Sequence, residues 1–280
     1  MSQRCLIING DDFGASPEVN GAIILAHRRG ILTSCSLMPG GEAFDEAVRL
    51  AKENPGLAVG IHVTCVLGKS VLPYSEIPHL VDRNGRFPDD PASAGLRYFF
   101  CKAARKELFR EIAAQFEKFR TSGLKFSHID SHCHLHVHPV IFDAVLELGR
   151  TYGIRRMRLP EDDFFTALPF LKSPLGKAGY GLVFKALTHR MEKKLRREQF
   201  VFPRRVYGNF LSGKMSSRYV LSVMDKLPVG ISEMYFHPEL LSDHAQQMPA
   251  QSELDILLDP EVLSGREKRK IKPATYFDFG

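Results

Sequence analysis

Short apolar runs rich in β-branched residues alternate with helical stripes from the first residues onward, and this restricts the chain to a parallel sheet with helices outside. Cys5–Asn9 reads as a strand that ends in a polar turn, Gly10–Gly14. Ser16 offers an N-cap with Pro17 at the first helical position, and Val19, Ile23, Ile24 and Ala26 form the stripe that follows. Strands are expected again at Leu32–Met38, Leu57–Val66, Phe126–Asp130, Arg155–Leu159, Val229–Phe236 and Ile271–Phe279. Helices are expected near Ala43–Glu53, Lys102–Ser122, Val140–Tyr152, Leu182–Arg197 and Ser216–Lys226, with short ones at Ser252–Leu258 and Pro260–Ser264. Six or seven strands set a closed (β/α) barrel against a doubly wound sheet. On this pattern both architectures stay open; one domain over residues 1–280 is expected, with a basic helical insertion at 172–218.

Composition narrows the class. The chain has 44% hydrophobic and 25% charged residues, which excludes disordered and fibrous proteins. Five scattered cysteines with no CxxC pair do not make a disulfide framework, and point to a reducing compartment. The first apolar run is too short for a signal peptide, and no run approaches a membrane span. A cytoplasmic protein is expected. The net charge of +6 is concentrated: Lys172–Arg218 holds twelve Lys/Arg against Glu192 and Glu198. No nucleic-acid motif accompanies that basic segment, so nucleic acid is not an expected partner.

In parallel α/β folds the chemistry gathers where strands end. Asp11 and Asp12, bracketed by Gly10 and Gly14, follow the first strand; two adjacent carboxylates there repel unless a cation or proton shares the site. His62 stands in an otherwise apolar run ending at Val66. The strongest signal is at 128–138, with five histidines in eleven residues where composition predicts roughly 0.4. His128, Asp130, His132, His134, His136 and His138 share one parity, and Ile129, Cys133, Leu135 and Val137 the other. While the segment stays extended, the polar set faces one way. Imidazoles beside carboxylates suit zinc or a harder divalent ion.

NGDDFG at 9–14, GIHV at 60–63, HIDSHCHLHVHP at 128–139 and FHPE at 236–239 together resemble the YdjC-like (ChbG) carbohydrate deacetylases, and the stretch 72–100 resembles the branch associated with hopanoid biosynthesis. The resemblance implies a (β/α) barrel, seven-stranded and TIM-like, that works as a hydrolase removing the acetyl group from an N-acetylated amino sugar, using one divalent ion, magnesium or zinc. It implies Asp12, His62 and His132 as metal ligands and Asp11 as the catalytic base. His237, on a late strand end, is the candidate acid. Asp130, His134, His136 and Arg158 are candidates for substrate binding or for orienting the ligands. Two positions depart from the family pattern: Gly10, where alanine is commoner, and Glu239, where glycine often follows the late His-Pro.

Two rivals stand beside this reading. One is another barrel metallohydrolase, a phosphoesterase or amidohydrolase, although those usually carry His-x-His on the first strand. The other is a non-enzymatic histidine-rich metal-binding protein, which predicts exposed histidines. The basic stretch adds a further expectation. Leu182, Val183, Ala186, Leu187, Met191 and Leu195 approximate a stripe flanked by Lys185, Arg190, Lys193, Lys194, Arg196 and Arg197, a pattern that suits peripheral contact with the inner face of an anionic membrane. The expected partners are therefore an N-acetylated sugar or glycolipid, with membrane contact through 172–218 and a homodimer as the candidate assemblies.

Overall fold

The structure, a computed structural model, describes residues 3–171, 174–240 and 252–279, with side chains omitted over 174–183. The chain runs β1 (Arg4–Phe13), α1 (Pro17–Arg29), β2 (Ser34–Leu37), α2 (Phe44–Glu53), β3 (Ala58–Val63), α3 (Pro91–Phe100), α4 (Lys102–Thr121), β4 (Ile129–Ser131) and α5 (Pro139–Thr151). It continues through α6 (Phe164–Ala167), α7 (Pro174–Arg197), β5 (Val206–Tyr207), α8 (Ser217–Lys226), β6 (Gly230–Phe236), α9 (Glu253–Leu258), α10 (Pro260–Lys268) and β7 (Lys272–Pro273). The sheet has the order β4-β3-β2-β1-β6-β5, with β7 added beside the start of β1, and every pairing is parallel. The fold is α/β, with a half-barrel of parallel strands.

Local chemistry sets the boundaries. Ser16 caps α1 by accepting the Val19 N–H, with Pro17 at the first helical position. Strand parity then sorts β1 into two faces. Leu6 and Ile8 join the main core under the helices, while Cys5 and Ile7 join a smaller cluster with Ile231, Ala274 and Tyr276. Asn9 and Asp11 continue that second column toward the end of the strand, so the sheet interior turns polar where the strands finish.

Several expectations need correction. The histidine-rich segment does not stay extended. β4 stops at Ser131, and His132–Val137 forms a 3₁₀ turn with Cys133 and His134 both left-handed (φ 54° and 52°). The single parity expected through His138 therefore ends at His132. Arg155–Leu159 forms no regular strand; Met157 bridges to Ile129 and Arg156 to Val201. Residues 172–218 are not wholly a helical insertion, because they contain β5, which pairs with β6. The last expected strand is reduced to β7 and a 3₁₀ turn at Tyr276–Asp278. The stripe on α7 is core packing from Leu187 onward: Met191 and Leu195 are buried and Leu187 packs against them, whereas Ala186 is exposed. Those apolar side chains are not available to a bilayer. Leu182 and Val183 lie outside the described side chains.

Candidate active site

Adjacent residues of a strand face opposite ways, so Asp11 and Asp12 cannot serve one site from regular β structure. A bulge resolves this. Gly10 pairs with Cys35 and Phe13 with Leu37, so β1 carries one extra residue there, and Asp12 takes a left-handed conformation (φ 66°). Asp11 stays buried in the interior column, and Asp12 turns to the partly open mouth beside it.

Asp12 is where the strand ends meet. Its Oδ1 lies 2.8 Å from His132 Nδ1 and 3.2 Å from His62 Nε2. His62 is fully buried on β3 and donates its Nδ1–H to Asp130 Oδ1 at 2.8 Å. That bond fixes the tautomer and leaves the Nε2 lone pair aimed at a carboxylate oxygen. Two acceptors facing each other at that distance repel unless a proton or metal ion lies between them. Burial disfavours the His62 cation, but the charge of Asp130 and bonds to Asp12 and Asp130 outweigh it and raise its pKa well above the usual value. His132 is likewise pushed up to about 10, against burial, chiefly by Asp12. Asp12 is held well below the usual carboxylate range because both histidines outweigh its burial. The field at this point favours positive charge. One carboxylate oxygen and two imidazole nitrogens within 4.8 Å of one another, with a carboxylate orienting one imidazole, fit a divalent ion.

Behind these groups lies a closed polar network. Ser36 donates to Asp130 Oδ2 at 2.6 Å, and Asn9 donates to Asp11 Oδ1 and Ser36 Oγ, each at 2.8 Å. Arg158 is fully buried, so it cannot reach substrate hydroxyls, one of the roles the sequence left open for it. It grips Asp11 with two bonds of 2.7 Å and contacts Asp130 Oδ2 at 3.0 Å. His136 is also internal. Burial holds its pKa down to about 4, and the neutral ring spans Ser131 Oγ and the Arg158 carbonyl. His134 is held neutral chiefly by burial; its ring meets Tyr235 at 4.8 Å and Phe184 at 6.3 Å. His237 stands apart from the Asp12 cluster. Its side chain is 34% exposed, with Nδ1 3.8 Å from Glu253 and its ring against Tyr235.

Sequence reasoning passed over Glu233, Tyr276, Asn9 and Ser36. Glu233 had a usable signal, as a lone carboxylate inside the otherwise uncharged run Ile231–Phe236, at the same parity as His237. Tyr276 had none.

Comparison with known proteins gives the family. A carbohydrate deacetylase of Geobacillus stearothermophilus is 34% identical over 285 residues, covering 99% of this chain and 98% of that protein. One from Brevibacillus brevis is 44% identical over 149 residues, covering 53% of this chain and 57% of that protein. A solved structure from Enterococcus faecalis V583, named provisionally for cellobiose-phosphate cleavage, superposes with a TM-score of 0.76 at 28% identity, covering both chains fully. The YdjC-like protein family model matches residues 5–267, and the chain belongs to that family.

Proposed function

We propose that this protein is a carbohydrate deacetylase that hydrolyses the N-acetyl amide of an amino sugar with the help of one divalent ion, magnesium or zinc. The observation that carries the reading is the meeting of Asp12, His62 and His132 beside an Asp11 carboxylate pinned by a buried guanidinium. Asp12, His62 and His132 would hold the ion, which when bound polarises the amide carbonyl and makes water a better nucleophile. Asp130 keeps His62 in the ligating tautomer. Asp11, oriented by Arg158 and Asn9, takes the proton of the attacking water as oxygen bonds to the carbonyl carbon. His237 delivers a proton to the amide nitrogen as the C–N bond breaks, releasing acetate and the free amine. His134 and His136, both neutral, buttress the turn that presents His132.

Burial of His62, His128, His134 and His136 speaks against the histidine-rich metal buffer, which requires exposed rings. We read the fold as one domain and as a seven-stranded barrel closed through 155–159 and 201–207; the bridges from Ile129 to Met157 and Arg156 to Val201, and the Val206 N–H bond to Glu161, support this. For the substrate we propose an N-acetylglucosaminyl group on a hopanoid lipid or in a chitooligosaccharide. A cavity of about 420 Å³, lined by Phe164, Phe165, Phe184 and Phe210 and, among its polar residues, by Glu161, Asp163, Lys185 and Arg205, supports a bulky remainder, since the Phe184 ring also meets His134. The setting we propose is cytoplasmic. Among the described residues no helix is long and apolar enough to cross a membrane. Exposed Lys185, Arg190, Lys193 and Arg197 support an electrostatic contact with the inner membrane face.

The test is acetate release from N,N′-diacetylchitobiose and from an N-acetylglucosaminyl glycolipid, before and after chelation, alongside metal content. Release that chelation abolishes and metal restores is expected, with His132→Ala purifying metal-free and inactive. Full activity and full metal content in His132→Ala would overturn the ligand set.

A further inference from the structure

We infer that Glu233 and Tyr276 position Arg158, and through it the Asp11 carboxylate, from deeper inside the sheet interior. The inference rests on the reading of Asp11 as the base. A guanidinium has five N–H donors, and in Arg158 four of them are hydrogen-bonded to carboxylates. Two go to Asp11 and two, from Nε and NH2, go to Glu233 Oε1 at 3.0 and 2.7 Å, while NH1 also forms an ion pair with Asp130 Oδ2 at 3.0 Å. Glu233 thus holds the Nε/NH2 edge of the fork, next to the NH1/NH2 edge that grips Asp11, and fixes its plane. The second oxygen of Glu233 accepts the Tyr276 hydroxyl at 2.5 Å. All three side chains are fully buried. Burial raises the Tyr276 pKa well above the ordinary value, so the hydroxyl keeps its proton and donates.

Tyr276 comes from the turn after β7, which lies beside the start of β1, at the opposite end of the sheet from Asp11 and Asp12. The Tyr276 ring stacks on His128 at 3.9 Å with an interplanar angle of 8°, and His128 Nε2 is 3.2 Å from Ser36 Oγ. The side chain is therefore held by its ring, independently of the hydroxyl. Removing the hydroxyl leaves that stack in place but frees the second oxygen of Glu233. The carboxylate can then turn, and the Arg158 fork turns with it.

Tyr276→Phe and Glu233→Gln, each in the wild-type and Asp11→Asn backgrounds, test this with N,N′-diacetylchitobiose as substrate. In the wild-type background we expect kcat to fall about tenfold in Tyr276→Phe and at least as far in Glu233→Gln, in line with loss of a hydrogen bond to a charged group. KM and metal stoichiometry should stay unchanged. In the Asp11→Asn background neither change should lower the residual turnover further, because the residue they act through is already disabled. Equal losses in both backgrounds, or wild-type kcat in Tyr276→Phe, would overturn the inference. Wild-type kcat in Asp11→Asn alone would instead strike the base reading. Should Glu233→Gln fail to fold, the near-isosteric Tyr276→Phe decides.

Discussion

Arg158 shows what a single buried charge demands of its neighbours. A guanidinium with no solvent is costly, and here Asp11, Asp130 and Glu233 compensate it. Each carboxylate in turn depends on the arginine. Arg158→Met should therefore cost about 3–5 kcal/mol of unfolding free energy in urea titration, far more than a surface arginine would. A loss below about 1 kcal/mol would mean that the carboxylates find other partners. The nearness of Asp12, His62 and His132 was legible in the sequence because each is a polar residue where an apolar run ends, and such runs lie side by side in a parallel sheet. Arg158 was seen as a candidate for substrate binding or orientation, but its burial was not, since nothing local separates it from the exposed Arg155 and half-buried Arg156 beside it. Tyr276 was illegible because nothing local distinguishes a tyrosine that donates to a carboxylate more than forty residues away from one that fills space.

Among the elements, β3 and β4 depend on a missing side chain. A Cβ added at Gly60 would lie 2.3 Å from the His128 ring, so only glycine lets that ring pack flat against β3. Gly60→Ala should cost roughly 1–3 kcal/mol in thermal unfolding, the usual range for overpacking, and should displace His128 from Tyr276. The segment after Arg158 supplies a pH-dependent feature. Asp162 accepts the N–H groups of Asp163 and Phe210, yet burial outweighs these bonds and pushes its carboxyl up to about 6. Because the folded pKa lies above the unfolded value, the folded state binds the proton more tightly, and Asp162 weakens the fold as pH rises from about 4 through 6. The Asp162→Asn variant, which never ionises, should gain on the wild type across that window, by at most about 3 kcal/mol in parallel melts. A constant difference across pH 4–7 would refute the shift. Helix α1 was legible from Ser16 and Pro17, whose capping chemistry is local. The turn after β4 was not. It requires two consecutive left-handed non-glycine residues, Cys133 and His134, a conformation that local propensity disfavours and that tertiary packing imposes.

Across the whole molecule, an ion at Asp12 would tie together β1, β3 and the turn after β4, which only the folded chain brings together. Ligand linkage then stabilises the fold by about 2.7 kcal/mol at a free metal concentration one hundred times Kd. Adding metal to chelated protein should raise Tm by several degrees in calorimetry, and His132→Ala should show no such rise. The parallel α/β class was legible from alternation alone. The sharing of residues 172–218 between helix and sheet was not, because β5 is two residues long and offers no periodicity. The spacing of the three donors also orders events during synthesis. Asp12 and His62 leave the ribosome well before His132, and β2 must settle between β1 and β3 before the first two can meet. A complete three-donor site would therefore exist only once these strands are paired. Which ion such a site would take would then be set by the finished pocket and by whichever free ion the surrounding compartment supplies at that moment.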